Sequence, residues 1–340
     1  MKKKLTIISN ERFSKKGNYF FCDNIAETLP DDLEKNFDVK IICRYTSSDR
    51  AHQLKISNIK RSKNFLSYLV DIFKNVKFQK STYLALSISP YTFLGIIFLY
   101  FLKQKTFVYL RSDGYEEYKS KFGLIGKLVY HLMFSITSKI SKLIGCNNRV
   151  LKNSKGKIVY PSTLTEEWFL NKKMAEVESI RMLYVGRMRV EKGIFSFIKV
   201  IKRNKKSFLL SIVGADSKKY KSLENENIKV YGVKTNTEDL INLYDQHNVF
   251  VLPSYTEGHP MVVLEALARE RPVIIFKEIE HIIKDKKGIF VSERNAENFF
   301  QKLDYILNNY QDICSEMKEN KLPTKKQFIS ELTSHISFQN

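Results

Sequence analysis

The chain has 340 residues, 43% hydrophobic and 27% charged, which is globular and long enough for two domains and excludes a disordered chain. Its formal charge of +21 is uneven: residues 1–170 carry 29 Lys and Arg against 14 Asp and Glu, a net +15, and the rest carry 28 against 22, a net +6. Such a field attracts polyanions, whether an anionic membrane face, phosphorylated substrates or nucleic acid, or else reflects a generally lysine-rich composition; without an arginine-rich tract or RNA-binding signature the membrane is favoured over nucleic acid.

The opening MKKKLTIISN has only a short apolar run before Glu11 and Arg12, so 5–9 reads as a first strand and not as a signal peptide. A helix over 18–29 is expected after a loop holding Gly17, with Arg12, Lys15 and Lys16 nearby; this is either an ordinary turn or a loop under donor phosphates. Residues 39–43 form a second strand. The stretch 55–80 holds seven basic residues and one acid, Asp71, with Phe65, Leu66, Leu69, Ile72, Phe73 and Val76 at helical spacing. It reads as a basic amphipathic helix that either packs its apolar face on the core or lies on an anionic membrane.

Strands follow at 83–88 and 106–110, separated by an apolar helix over 91–102 that is too short to span a bilayer. After the second of these strands, Arg111-Ser112-Asp113-Gly114 offers Asp113 either as a helix cap or as a substrate-facing acid. Residues 122–140 read as a mostly apolar helix in which His131 is a core or surface histidine, and 142–146 and 157–160 as closing strands. Strands at 182–185, 208–213, 228–231, 249–252, 273–276 and 288–291 then alternate with helical stretches, the beat of a doubly wound parallel sheet. A last helix spans 325–335. The cysteines, Cys22, Cys43, Cys146 and Cys314, are scattered without C-x-x-C or zinc spacing, as reduced thiols in a cytosolic protein would be.

Chemistry concentrates between residues 249 and 276. A buried strand runs into the turn-rich loop 253–260, and a helix opens at Met261 behind Pro260, a residue favoured at the first helical position. The free N–H groups of Met261, Val262 and Val263, with the loop backbone at Gly258 and His259, make an anion site at the carboxyl edge of the sheet. Two carboxylates flank it, Glu257 and Glu265. Ionised carboxylates accept hydrogen bonds and suit paired hydroxyls, so phosphate and diols together describe a nucleotide sugar; the bland alternative is a turn residue and a solvated helix residue. Upstream, Arg187 and Lys192 can neutralise a diphosphate or be two surface cations. Gly186, Gly214 and Gly232-Val233 end neighbouring strands, as plain turns or as the frame of base and ribose.

The run Pro253-Ser254-x-x-Glu257-Gly258-x-Pro260-x-x-x-Leu264-Glu265-Ala266 resembles the E-x7-E signature of retaining GT-B glycosyltransferases of family 4. The upstream Val185-Gly186-Arg187-x-x-x-Glu191-Lys192-Gly193 resembles that family's V-G-R-x-x-x-E-K-G. The resemblance covers roughly residues 180–295 and implies two Rossmann-like parallel-sheet domains facing each other across a cleft: 1–168 for the acceptor and 169–321 for the nucleotide sugar, with a terminal helix over 322–340 packing back on the first. It implies Arg187 and Lys192 on the leaving diphosphate, Glu257 on the sugar hydroxyls, Glu265 on the ribose, and transfer with retention. Relatives carry a histidine loop where Asp113 stands, so Asp113 becomes the substitute catalytic candidate; Pro161-Ser162-Thr163 replaces a common P-N-G. Without a D-x-D motif, no metal and no cofactor are expected. The expected partners are a nucleotide-sugar donor, a lipid-linked or glycan acceptor and an anionic membrane surface on the inner face of the plasma membrane. Rival readings are a transferase for a soluble acceptor, a silent nucleotide-sugar-binding subunit, and a basic nucleic-acid-binding protein on a Rossmann scaffold.

Overall fold

The computed structural model describes residues 2–22, 28–50, 52–78, 81–202, 206–215 and 218–337. The chain divides into two compact units, 1–160 with 326–340, and 161–325.

In the first unit the strands are β1 (Lys3–Lys16), β2 (Tyr19–Cys22), β3 (Phe37–Tyr45), β4 (His52–Leu54), β5 (Ile59–Ser62), β6 (Thr82–Leu86), β7 (Thr106–Leu110), β8 (Lys142–Gly145) and β9 (Gly156–Ile158). The helices are α1 (Thr28–Leu33), α2 (Phe65–Phe78), α3 (Pro90–Phe101), α4 (Gly114–Ile140) and the short α5 (Asn148–Leu151). β5, β3, β1, β6, β7, β8 and β9 pair in parallel in that order, and Leu5, Ile7 and Ile8 are completely buried in β1. Continuous apolar runs fit such strands because helices cover both faces. Tyr68, Ile72, Ile96, Leu99, Met133 and Phe134 of α2, α3 and α4 pack on one face.

The second unit carries a six-stranded all-parallel sheet: β10 (Arg181–Val185), β11 (Leu209–Val213), β12 (Ile228–Tyr231), β13 (Val249–Leu252), β14 (Val273–Phe276) and β15 (Ile289–Ser292). α6 (Ile194–Ile201), α7 (Thr237–Asp245), α8 (Met261–Ala268), α9 (Ala296–Asn308) and α10 (Tyr310–Met317) accompany it. The order β12-β11-β10-β13-β14-β15 reverses direction between β10 and β13. Such a switch point opens a crevice at the carboxyl ends of the strands. The chain closes with α11 (Lys325–Ser337), whose Phe328, Ile329, Leu332 and Ile336 join the core of the first unit beside Leu29 and Leu33.

Three expected elements differ. No helix begins at residue 18: β1 runs on past the sheet, a hairpin turns at Gly17, and β2 pairs antiparallel with Ser14, Lys15 and Lys16. The alternation of Tyr19, Phe20, Phe21 and Cys22 between outside and inside is strand periodicity, and residues 23–27 of the expected helix lie outside the described residues. Within 55–80, β5 occupies the basic half and only α2 is helical; residues 79 and 80 lie outside the described residues. Arg61 stacks on Phe20 and Tyr45 and Lys60 pairs with Asp71, so these two of the seven cations are engaged within the unit. The segment expected as one helix over 122–140 is the second arm of α4. It bends at Gly123 (φ 65°, ψ −152°), a conformation glycine tolerates and other residues rarely adopt.

A buried ion cluster ties the start of the second unit to its core. Arg269, wholly buried, grips both oxygens of Asp245 (2.9 and 2.7 Å) and donates to the carbonyls of Trp168, Leu170 and Asn171. Arg271 beside it donates to the carbonyls of Tyr244 and Lys173. Removing one partner of a buried pair strands the other charge, so Arg269→Met should cost on the order of 3–5 kcal/mol, and adding Asp245→Leu should restore part of it. Urea-unfolding midpoints of the two variants check this.

Candidate active site

The site grows from the two loops that leave the switch point. After β10 the chain passes Gly186, Arg187 and a short 3-10 turn, Val190–Lys192, before Gly193 opens α6. After β13 it passes Pro253–Pro260 before α8. At Gly193 (φ +65°) a β-carbon would lie 1.9 Å from the Pro253 carbonyl oxygen, so only glycine lets the loops meet. The Tyr255 N–H donates to the Glu191 carbonyl (2.9 Å) and adds a second tie.

This approach brings Lys192 and Glu257 together. The Lys192 ammonium donates to Glu257 Oε1 at 2.6 Å, and the fully buried Ser254 hydroxyl donates to the same oxygen at 2.6 Å. The side chains are 22% and 10% exposed, so the pair is poorly hydrated and its attraction is stronger than that of a surface ion pair. Arg187 is exposed, while its carbonyl accepts from the Tyr184 hydroxyl (2.9 Å). Burial, then the Glu257 charge, push the Tyr184 hydroxyl well above the ordinary tyrosine range, with Arg187 opposing, so tyrosine, acid and arginine share one field.

Along the same edge the backbones of Gly186, Gly214 and Gly232 end β10, β11 and β12. Gly186 donates to the Val213 carbonyl (2.8 Å) and Gly214 to that of Gly232 (3.3 Å), and Val233 beyond them is half exposed at 51%. On the other side of the switch point, Pro260 caps α8 from outside instead of occupying its first turn, and Met261 begins the helix. Met261 and Val262 are half-buried, as are Gly258 and His259 on the loop. Val263 turns its side chain into the core, and its N–H already donates to the Pro260 carbonyl (3.2 Å), so that position offers a ligand neither group.

Glu265 is not a solvated helix residue. It is 7% exposed, Thr163 donates to Oε1 (3.1 Å) and Tyr244 to Oε2 (2.9 Å), and burial raises its pKa against the pull of these two bonds. A carboxylate has about four lone-pair sites, so two further bonds fit. Asp113 lies in the first unit and is 5% exposed. Oδ1 caps α4 through the Tyr115 N–H (3.1 Å), and Oδ2 is held by Lys152 (2.8 Å) and Arg149 (3.4 Å). Asp113 thus serves as the cap of α4, with both of its oxygens engaged inside the first unit. Gly17 sits in a hairpin turn, not in a strand-to-helix loop.

Sequence spacing missed the supports. Arg294 donates to the Pro253 carbonyl (3.0 Å) and Glu278 (2.9 Å) and stacks on Tyr255 and Phe276, 4.1 and 4.4 Å from the ring centres. Tyr255 in turn bonds Ser196 (2.7 Å). Ser254 and Thr163 were visible inside motifs, whereas Arg294 and Tyr244 carried no local signal.

Residues 166–322 match the family of glycosyl transferases group 1. Among curated relatives, an uncharacterized glycosyltransferase of Haemophilus influenzae is 29% identical over 169 residues, covering 45% of either chain. The capsular polysaccharide biosynthesis glycosyltransferase CapM of Staphylococcus aureus is 30% identical over 139 residues, 37% of this chain and 36% of the relative. An α-1,3-N-acetylgalactosaminyltransferase of Campylobacter jejuni, named for the N,N'-diacetylbacillosaminyl-diphospho-undecaprenol it acts on, is 26% identical over 133 residues, 38% and 35% of the two chains. The matched stretch thus spans less than half the length of these relatives.

Solved structures align over nearly the whole chain. They include sucrose-phosphate synthase of Thermosynechococcus elongatus (TM-score 0.74, 16% identity, 99% and 98% coverage) and WaaG, a glycosyltransferase involved in lipopolysaccharide biosynthesis (0.71, 13%, 98% and 100%). Anabaena Alr3699/HepE in complex with UDP and glucose is a third (0.73, 12%, 99% and 100%). The fold is GT-B, with two Rossmann-like units. The group 1 match thus lies within the second unit, and the likeness over the whole chain is one of fold.

His259 gives the loop a pH signature. Burial, reinforced by Lys284 and Lys286, lowers its pKa to about 4 against a bond to the Pro161 carbonyl, and burial also lowers His247. Below the ordinary histidine range the unfolded chain takes up protons that the folded one refuses. The His259 contribution should therefore weaken stability as pH drops from about 6.5 towards 4 and be complete below that, on the order of 1–3 kcal/mol in all. Denaturant titrations across that window should show a smaller fall for His259→Asn than for wild type.

Proposed function

We propose that the protein is a retaining glycosyltransferase of the family 4, E-x7-E type. It moves a sugar from a nucleoside-diphosphate donor to a hydroxyl of a lipid-linked or glycan acceptor in bacterial cell-surface polysaccharide synthesis. The observation that carries the reading is the Lys192–Glu257 pair at the β10/β13 switch point, with exposed Arg187 on the same loop and the start of α8 on the other. Cations and a helix N-terminus suit a diphosphate, and a carboxylate suits sugar hydroxyls.

In the reaction the bond between the anomeric carbon and the β-phosphate oxygen breaks. The acceptor oxygen bonds to that carbon on the same face, and its proton passes to the departing phosphate. Arg187, Lys192 and the start of α8 take up the charge that develops on the leaving group. Glu257, anchored by Lys192 and Ser254, orients the sugar, and Glu265 accepts from the ribose near the glycine row of β10, β11 and β12. These cations supply the role a metal would take, so the reading is metal-independent. CapM and the undecaprenol-linked relative support the acceptor class, and the HepE complex supports a UDP-type donor. The place of action is the cytoplasmic face of the membrane, with the basic first unit towards anionic lipid. Among the described residues no helix is long and apolar enough to cross a membrane.

A thermal-shift panel of nucleoside diphosphates and their sugars tests the donor site, since a ligand at 100 times its Kd adds about 2.7 kcal/mol. Arg187→Ala and Lys192→Ala should each lower kcat/KM by on the order of 10²–10³, and chelator should not. Glu265→Gln should weaken nucleotide binding and Glu257→Gln should spare it while impairing transfer. Binding without turnover on any acceptor would favour a silent subunit, and efficient transfer to a free sugar would favour the soluble-acceptor reading.

A further inference from the structure

The two arms of α4 form a closed helical corner. At Gly123 the chain leaves helical geometry, and a β-carbon on Gly126 would lie 2.3 Å from the Tyr118 carbonyl oxygen, so the arm 114–122 folds tightly onto the arm 124–140. Rings lock the fold: Tyr115 and Tyr118 pack on Tyr130 with centres 4.9 and 5.1 Å apart, and the Tyr115 hydroxyl bonds His131 Nδ1 (2.9 Å). The inward side of the second arm is spent on the core through Tyr130, Met133 and Phe134.

Its outward side is equally apolar. Phe122, Leu124, Ile125, Leu128 and Leu132 are 61–76% exposed, and Val129 is 46% exposed. Contiguous exposed apolar patches of this kind mark interaction surfaces. Lys119, Lys121 and Lys127 stand exposed around this tip, and Lys139 and Lys142 at the far end of the arm. The acids Glu116 and Glu117 lie back along the first arm, half-buried, Glu117 paired with Lys121.

We infer that the corner Phe122–Gly123–Leu124–Ile125 is a membrane-docking wedge. Its apolar tip, with Leu128 and Leu132, enters the interface of an anionic bilayer, while the flanking lysines meet the lipid phosphates. Charge complementarity selects that occupant: an apolar tip ringed by cations, on a unit of net positive charge, fits a surface apolar beneath and anionic above. The inference rests on the membrane-facing part of the proposed function and moves its anchor from the basic stretch 55–80 to α4. A rigid, preformed corner loses little conformational entropy on insertion.

Sedimentation of the full chain with vesicles of phosphatidylcholine plus phosphatidylglycerol, against phosphatidylcholine alone, tests it. Wild type should bind the anionic vesicles, and salt should weaken the binding without abolishing it. L124Q/I125Q/L128Q, all on exposed positions, should cut partitioning about tenfold or more with Tm and nucleotide binding unchanged. In Phe122→Trp, emission should shift to the blue on anionic vesicles, which the buried Trp168 cannot mimic. Equal vesicle binding by the triple variant would overturn the wedge and leave the membrane reading standing. No binding by wild type would overturn both, with the donor assays unaffected. A lipid-free dimer dissolved by the triple variant would assign the patch to self-association instead.

Discussion

The candidate site depends on one contact between two backbones: Gly193 resting against the carbonyl of Pro253. The Lys192–Glu257 pair is hung from it. A side chain at residue 193 would hold the loops after β10 and β13 apart, Lys192 could not reach Glu257, and Ser254 would lose the acid it steadies. Arg294 donates to the same carbonyl and stacks against Tyr255, so the junction is held by a side chain as well as by the backbone contact. Catalytic groups held by packing and hydrogen bonds, and not by their own torsions, need little reorganisation when charge develops.

The central strands of both units were legible because parallel strands covered on two faces must be written as unbroken apolar runs, and Val249–Leu252 or Val273–Phe276 admit little else, whereas β2, β4 and β5 at the edge of the first unit were not. The positions of Lys192 and Glu257 were legible from motif spacing, but their direct pairing was not, since 65 residues separate them. Where reading failed, a second physical demand overrode the first. Tyr19 to Cys22 follow a two-residue period inside a stretch that looked helical. Arg61 serves as a stacking cation, which composition alone cannot distinguish from a lipid-facing one. Asp113 fitted two readings equally, and its hold by Lys152 and Arg149 could not be read from spacing, since they lie 36 and more residues along the chain.

Glu265 illustrates a different limit. Its place in the motif singled it out, but not that it would be buried with its carboxylate held by the hydroxyls of Thr163 and Tyr244. Thr163 and Tyr244 stabilise the charged form by hydrogen bonds alone, and desolvation still prevails. An acceptor kept in such surroundings is poorly hydrated and gains more from each added hydroxyl than a solvated carboxylate would.

The long first strand has an electrostatic consequence. In a doubly wound unit the first strand ordinarily ends in a loop and a helix N-terminus, where backbone donors and the dipole can lodge an anion. Here β1 continues into a hairpin, so that corner of the first unit is filled by chain whose N–H groups are engaged with β2. The first unit's excess positive charge therefore acts as a spread field and not through a pocket at this corner, and fields of that kind fade over about 8–10 Å in physiological salt. Ionic strength thus tunes that field, while the poorly hydrated Lys192–Glu257 pair of the second unit is more sheltered from it.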